Sequence, residues 1–484
     1  MMRKGYLYLA MIALMVLWTT TSRAQQAGAQ AGETLLTASF PASQAGTSQA
    51  PVIGPVSSEG QPSSPVVTMP PLSGAQVLAP TFGGTSENYW VPALACTEYA
   101  TTNPNGINRN SGLFSESACA GNVTLQKVDR HSQLNLDFIG GGFYYNRPYE
   151  TATKQYGTAG ELAVAEQVNG RRWNWMLGDQ GSYLPEGSVG YEPFADLSTF
   201  AGGVGGSAMS SAPALNGAFS PNQSVYAGEA RRFSDLALSQ LSYAAGPRTT
   251  LTATAMFGTL QYLTPGYIDN RYWTVMTGYN RTFGRSNQVA LSYDEMHYNF
   301  GPSQPEMVTR GASILYGRSI SPRFTVELSV APTARATGST TSFYLGTYDS
   351  VQYRALRWDG TLGLDRTLTG GGGFLGGVEM TMVMASLGRQ LSRRVHGSLN
   401  MAYAENQSLA QISSGALRPA YDYVQAGANL THELGPHISM YLNYSVQRET
   451  SNTPICAGAS CSTVYFRQTG GFGINWHARP IKID

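Results

Sequence analysis

The sequence is short of charge. Only 13% of its 484 residues are Asp, Glu, Lys or Arg, and they nearly cancel to a formal net charge of +1, against roughly 25% charged residues in an ordinary soluble domain. So neutral a chain has neither the basic footprint of a nucleic-acid binder nor a polybasic membrane patch, and nucleic acid is not an expected partner. Long hydrophobic runs are missing as well. Beyond the run from Tyr6 to Trp18, no stretch approaches the about 20 apolar residues a membrane helix needs, which excludes a helical span. Cysteine is scarce: Cys96, Cys119, Cys456 and Cys461 are all there is, and none stands in a C-x-x-C or His-containing spacing that zinc selects. No metal or cofactor is expected.

What is plentiful is glycine, with 55 residues, and alternation. In LYGRSISPRFTVELSV, residues 315–330, Phe324, Val326, Leu328 and Val330 point one way and Arg323, Thr325, Glu327 and Ser329 the other. Period two means strand. The layout recurs from Gln240, Gly278, Leu387 and Ala428, each copy being ten or so alternating residues, a tight Gly, Pro or Arg turn, and ten more. This is the pattern of a transmembrane antiparallel up-and-down β-barrel. A mean hydropathy of −0.19 agrees, because lipid-facing and lumen-facing residues cancel in any window average.

The organisation follows in order. Residues 1–24 carry Arg3 and Lys4, an apolar run, and Ser22-Arg23-Ala24, the layout of a secretory signal peptide. Residues 25–80, rich in Pro, Ser, Gly and Gln, lack the apolar content to order themselves and read as a linker. Residues 81–131 hold two cysteines and scattered aromatics without clean alternation, and read as a small periplasmic segment or a plug. The exported context permits disulfides, each pair closing its own loop: Cys456 with Cys461, and Cys96 with Cys119. The barrel itself is expected over 132–484, with about sixteen strands, or fourteen if the stretch 337–376 loses a hairpin around Gln352-Tyr353-Arg354.

Short turns at Gly246-Pro247, Gly284-Arg285, Ser321-Pro322, Ser392-Arg393-Arg394 and Gly435-Pro436 alternate with longer connections. Such barrels keep short turns periplasmic and long loops outside. Both termini are therefore expected in the periplasm, with the chain in the outer membrane of a Gram-negative-type bacterium. Trp273, Trp358, Trp476, Tyr262, Tyr279, Tyr403 and Tyr444 are expected near strand ends, as interfacial girdles or simply through β-propensity.

Near the C-terminus, Thr469, Gly471, Ile474 and Trp476 match a polar-x-Gly-x-x-apolar-x-apolar pattern. It resembles the signal read by the barrel assembly machinery on a last strand. With the blocks RRWNWMLGDQGSYLPE, GRSISPR, LTGGGGFLGG and GRQLSRR, residues 132–478 resemble the outer-membrane β-barrel proteins common in Acidobacteria. That resemblance implies a barrel and a location, and no cargo.

Candidates for chemistry are few, and an enzyme is not expected. His297 shares a strand face with Glu295, while Asp294 points away; a polar residue beyond the lipid boundary explains it as well as a catalytic base does. His432 and His437 flank the Gly435-Pro436 turn, where two ligands alone make a weak metal site. Arg323, Glu327, Arg357, Asp359, Asp365 and Arg467 fall on polar strand faces and are expected to point inward, since lipid penalises Arg or Lys by about 2 to 4 kcal/mol at the midplane. They line a solute-selecting pore or fill a closed interior with ion pairs. The stretch 185–230, long and glycine-rich, is the candidate constriction loop or extracellular lid. The expected function is a porin-like channel for small polar solutes; the alternative is a closed structural or surface-interaction barrel whose outer loops bind a partner or polysaccharide.

Overall fold

The computed structural model describes residues 88–483 apart from 103–112, 147–155, 185–229, 285, 302–303, 374, 410–417 and 453–462. The signal-peptide and linker segments, the stretch 185–230 except Ala230, and the Cys456 and Cys461 pair lie outside the described residues.

Alternation resolves into strands throughout. They are β1 (Tyr89–Thr101), β2 (Phe114–Val128), β3 (Ser132–Tyr145), β4 (Tyr156–Asn169), β5 (Trp173–Leu184) and β6 (Arg232–Gly246). β7 (Thr249–Tyr262), β8 (Asn270–Phe283), β9 (Asn287–Asn299), β10 (Met307–Ser321), β11 (Phe324–Thr337) and β12 (Thr340–Arg354) follow. β13 (Trp358–Gly372), β14 (Leu375–Gln390), β15 (Val395–Ser408), β16 (Ala420–Glu433), β17 (Ile438–Ser451), β18 (Val464–His477) and the two-residue β19 (Ile481–Lys482) complete the series. No described helix is long and apolar enough to cross a membrane.

Successive strands pair antiparallel from β1 to β18, and β18 returns to β1 with Thr469 opposite Thr101 and His477 opposite Ala93. Among the described residues this is a closed ring of eighteen strands, which leaves no long edge exposed to foreign pairing. β19 lies outside the ring, pairing with Tyr89 and Trp90 at the start of β1.

The sixteen expected strands are all present as β3 to β18, and two more precede them. The expectation of sixteen, or fourteen, is therefore corrected to eighteen, and within residues 81–131 the segments Tyr89–Thr101 and Phe114–Val128 are strands of the wall. The physical reason lies in β1 and β2. Their inward faces carry Val91, Ala93, Ala95, Ala118 and Ala120, all buried, while Glu98 and Lys127 face outward. Geometry alternates there although hydropathy does not. Residues 352–354 end β12, so the hairpin in question is two strands with a turn after them.

The connections sort onto two rims. Those at 129–131, 170–172, 247–248, 284–286, 322–323, 355–357, 391–394 and 434–437 are short and share one rim, together with the start of β1 and the end of β18. All five short turns expected from sequence are there. The opposite rim carries the strand ends that the long connections join, the tight turn at 338–339, and Gly373 just after β13.

Cross-strand partners share a face, and burial marks which face is which. Leu94, Leu251, Leu291, Ile314, Leu328, Leu399 and Leu442 are exposed and face outward. Buried apolar groups gather on the inward faces in two clusters, one along β1–β4 and β14–β18, the other mainly along β6–β10. Trp358 and Trp476 stand at the short-turn rim and Trp273 at the other. Tyr444 sits outward near the middle of β17. Tyr262 departs from expectation: it faces inward, 9% exposed, and stacks on Tyr267 at 5.1 Å.

Candidate functional site

Alternate residues of the eighteen strands build an inward face. Four of the six expected lining residues are on it. Glu327 on β11 is 1% exposed and accepts a hydrogen bond from Ser350 Oγ at 3.3 Å. Asp365 on β13 is likewise buried. The two carboxylates are separated by Ser350 and Tyr348 of β12, whose register partners are Glu327 with Ser350 and Asp365 with Tyr348. Arg467 lies apart on β18, donating through Nε and a terminal nitrogen to Gln447 Oε1 at 3.1 and 2.7 Å, with its guanidinium 5.7 Å from the Tyr465 ring centre. Asp359, near the start of β13 at the short-turn rim, points inward and is exposed.

Arg323 and Arg357 lie one residue outside their strands. Both sit in turns at the short-turn rim, just ahead of Phe324 and Trp358, and both are exposed. Parity assigns a face only while the strand lasts, and the pattern in the sequence runs on into the turn.

The inward face holds more carboxylates than sequence reasoning named. Asp137 accepts from Thr124 Oγ1 at 2.5 Å, and Glu161 accepts from Gln180 Nε2 at 2.6 Å. Glu116 and Glu449 are buried on β2 and β17, Asp294 is half-buried on β9, and Glu433 stands at the short-turn end of β16. The inward arginines of the strands are fewer: Arg232, Arg335, Arg354 and Arg467. Counting parity from the exposed leucines of each strand, rather than searching for polar runs, is the signal that finds them.

The expected assembly-signal residues divide between faces as their types require. Thr469 and Gly471 face inward, with the ring of Tyr99 and the amide of Asn443 packed where a side chain on Gly471 would stand. Ile474 and Trp476 face outward, 46% and 43% exposed. Cys96 and Cys119 are direct cross-strand partners on the outward face and form a disulfide.

His297 lies outward at the long-loop rim. Its Nε2 is 3.0 Å from Glu295 Oε1, its ring stacks on Trp273 at 3.9 Å, and Arg310 holds the same carboxylate at 3.1 Å. Asp294 points to the opposite face, as parity required. His437 meets the ring of His477 edge-on at 5.4 Å and accepts from Arg479 Nε at 3.2 Å, so its ring neighbour is not His432. Among the described residues no group of three or more His, Cys, Asp or Glu side chains is placed to hold a metal.

No family model and no curated protein matches the chain. Among solved structures it is similar to the Pseudomonas aeruginosa outer membrane protein OpdK, at 9% identity over 80% of this chain and 99% of that one, with a TM-score of 0.42. It is similar also to P. aeruginosa OpdQ, at 7% identity over 81% and 99% of the two chains, TM-score 0.44. The open form of the Escherichia coli K12 ferric-catecholate import receptor Fiu matches at the same level: 9% identity, 82% of each chain, TM-score 0.42. An import receptor and the two Pseudomonas proteins thus score alike, and these likenesses do not choose a cargo.

Proposed function

We propose that this chain is an outer-membrane, porin-like barrel that passes small polar solutes by passive diffusion and favours cations. The observation that carries the reading is the closed eighteen-strand ring whose inward face bears more carboxylates than guanidinium groups. Strands about 4.8 Å apart and tilted about 40° close eighteen-fold at a backbone radius of about 18 Å. A circular wall of that radius would leave room for water between its inward side chains. Fixed carboxylates in a narrow, low-dielectric conduit raise the local concentration of cations and oppose anions.

The exposed outward leucines, with tryptophans at both rims, suit a lipid band and its interfaces. We assign the short-turn rim, and with it both ends of the wall, to the periplasm. Thr469, Gly471, Ile474 and Trp476 serve on this reading as the signal for the barrel assembly machinery, on the strand that closes the ring. The likeness to barrels common in Acidobacteria belongs to this proposal also.

A second reading has the burial of the inward polar face in its favour. Glu116, Asn122, Gln126, Glu327, Glu449 and Arg467 are only 1 to 4% exposed, as groups in a closed, packed interior would be; the barrel would then be structural, with outer loops binding a partner or polysaccharide. Purified barrel in a planar bilayer separates the two. Stable conductance steps are expected, whereas a silent bilayer with an intact heat-modifiable barrel would establish the closed reading.

A further inference from the structure

The wall parts at one place. β12 pairs with β13 only as far as Thr347 opposite Arg366, although β12 continues to Thr340 in register with β11. β13 likewise continues to Gly372 in register with β14. On the other side β14 pairs with β15 up to Val378 opposite Ser408, where β15 ends, and Leu409 N–H still donates to the Gly377 carbonyl at 3.0 Å. Above Arg366, therefore, the β13–β14 hairpin has left β12, and above Gly377 it runs past the end of β15.

Its tip is docked elsewhere. Ile268, just ahead of β8, forms a β-bridge with Gly373, its N–H donating to the Gly373 carbonyl at 2.6 Å. Gly370 lies against Asn270 and Tyr298 so closely that a Cβ there would collide with the Asn270 amide and stand 2.8 Å from the Tyr298 ring. Asn270 is 1% exposed and Thr369 is fully buried. β8 and β13 are five places apart around the ring. Neighbouring strands lie about 4.8 Å apart, so a contact between elements five places apart is one that a tip remaining in the wall does not make. The glycine run 370–373 permits the crossing, because a backbone without side chains can approach a foreign wall closely.

We infer that the tip of the β13–β14 hairpin is a strap across the long-loop mouth and is the constriction that sets the size limit of the conduit. The stretch 185–230, expected from sequence as a constriction loop or lid, lies outside the described residues apart from Ala230. The inference rests on the channel reading, and the strap acts as a fixed bar held by Ile268, Asn270 and Tyr298 rather than by ionic contacts.

The test compares the wild-type barrel with two variants in planar bilayers, each checked for heat modifiability. In the first, residues 370–377 are replaced by Asn-Gly, a two-residue type I′ turn above the Thr369 and Val378 pair. In the second, Gly370→Val pushes the tip off Asn270 and leaves the hairpin length intact. We expect conductance to rise roughly twofold or more in the first and to rise, with larger polyethylene glycols admitted, in the second. A silent wild type with a conducting strapless variant supports the strap as the barrier. A conducting wild type whose conductance and polymer cut-off are unchanged in both variants overturns the strap and leaves the channel standing. Silence in all three folded barrels overturns both.

Discussion

Two neighbouring hairpins reach the same rim with tight turns and end in different places. β11 and β12 stay in register from Thr337 opposite Thr340 downward, and β10 accompanies β11 to Met307 opposite Thr337; their tip is part of the wall. The tip of β13 and β14 is bonded across the mouth to Ile268. The sequences at the two tips, TARATGSTTS and TLTGGGGFLGG, differ in the expected direction. Threonines, stiff at χ1, hold a twisted strand against its neighbours, whereas a glycine run gives the wall nothing to pack and allows close approach to another surface. What the comparison teaches is that in a barrel the glycine-rich turn, not only the long loop, is where the wall is free to do something else.

The largest way to break the comparison is to give the strap side chains. Gly370→Val dislodges it and raises conductance, while Gly338→Ala at the other tip leaves conductance alone, because no atom lies closer than 4.0 Å to its added Cβ. Gly338 has φ +57°, so that change costs about 1 kcal/mol of backbone strain, readable as a slightly lower heat-modification temperature. Next in size is the lipid face of the hairpin that stays in the wall. Leu328→Arg destabilises the barrel by about 2 to 4 kcal/mol, measured by urea unfolding from detergent or lipid. Arg323→Glu, in the turn below it, has almost no effect on the same curve, and a loss as large as that of Leu328→Arg would contradict the placement of Arg323.

Each hairpin also contributes one buried lumen carboxylate, which allows a matched pair. Glu327→Gln and Asp365→Asn each lower the cation-to-anion permeability ratio, by roughly twofold, and a ratio unmoved by both shows that neither faces the conducting path. The smallest effect is at the hinge where the strap departs. Arg366 pairs with Glu379 at 2.7 Å with its side chain 46% exposed, so Arg366→Ala costs below about 1 kcal/mol. Conductance is expected to stay as in the wild type, since the strap is held at its tip.

Sequence patterning reaches β3 to β18 because Leu, Val and Phe stand outward and Thr, Ser, Glu and Gln inward with little interruption. It fails at β1 and β2, where small Ala93, Ala95, Ala118 and Ala120 take inward positions and Cys96, Cys119, Glu98 and Lys127 take outward ones. Small residues pack on either side, so hydropathy carries no parity there. The inward placement of Glu327, Asp365 and Arg467 was legible because each sits inside its strand; Arg323 and Arg357 lie one residue before theirs, where parity no longer assigns a face. The strap was invisible for another reason. LTGGGGFLGG has too few side chains to show a period, and its partners Ile268, Asn270 and Tyr298 lie some 70 to 100 residues earlier in the chain, so only the fold brings them together.

A water-filled conduit with an acidic inward face fixes the sign of the reversal potential. Purified barrel in a planar bilayer under a potassium chloride gradient should show a reversal potential of the sign set by cations, moving towards zero in the Glu327→Gln, Asp365→Asn double variant. A reversal potential of the anion sign, or no current from a barrel that is demonstrably folded, would contradict the account.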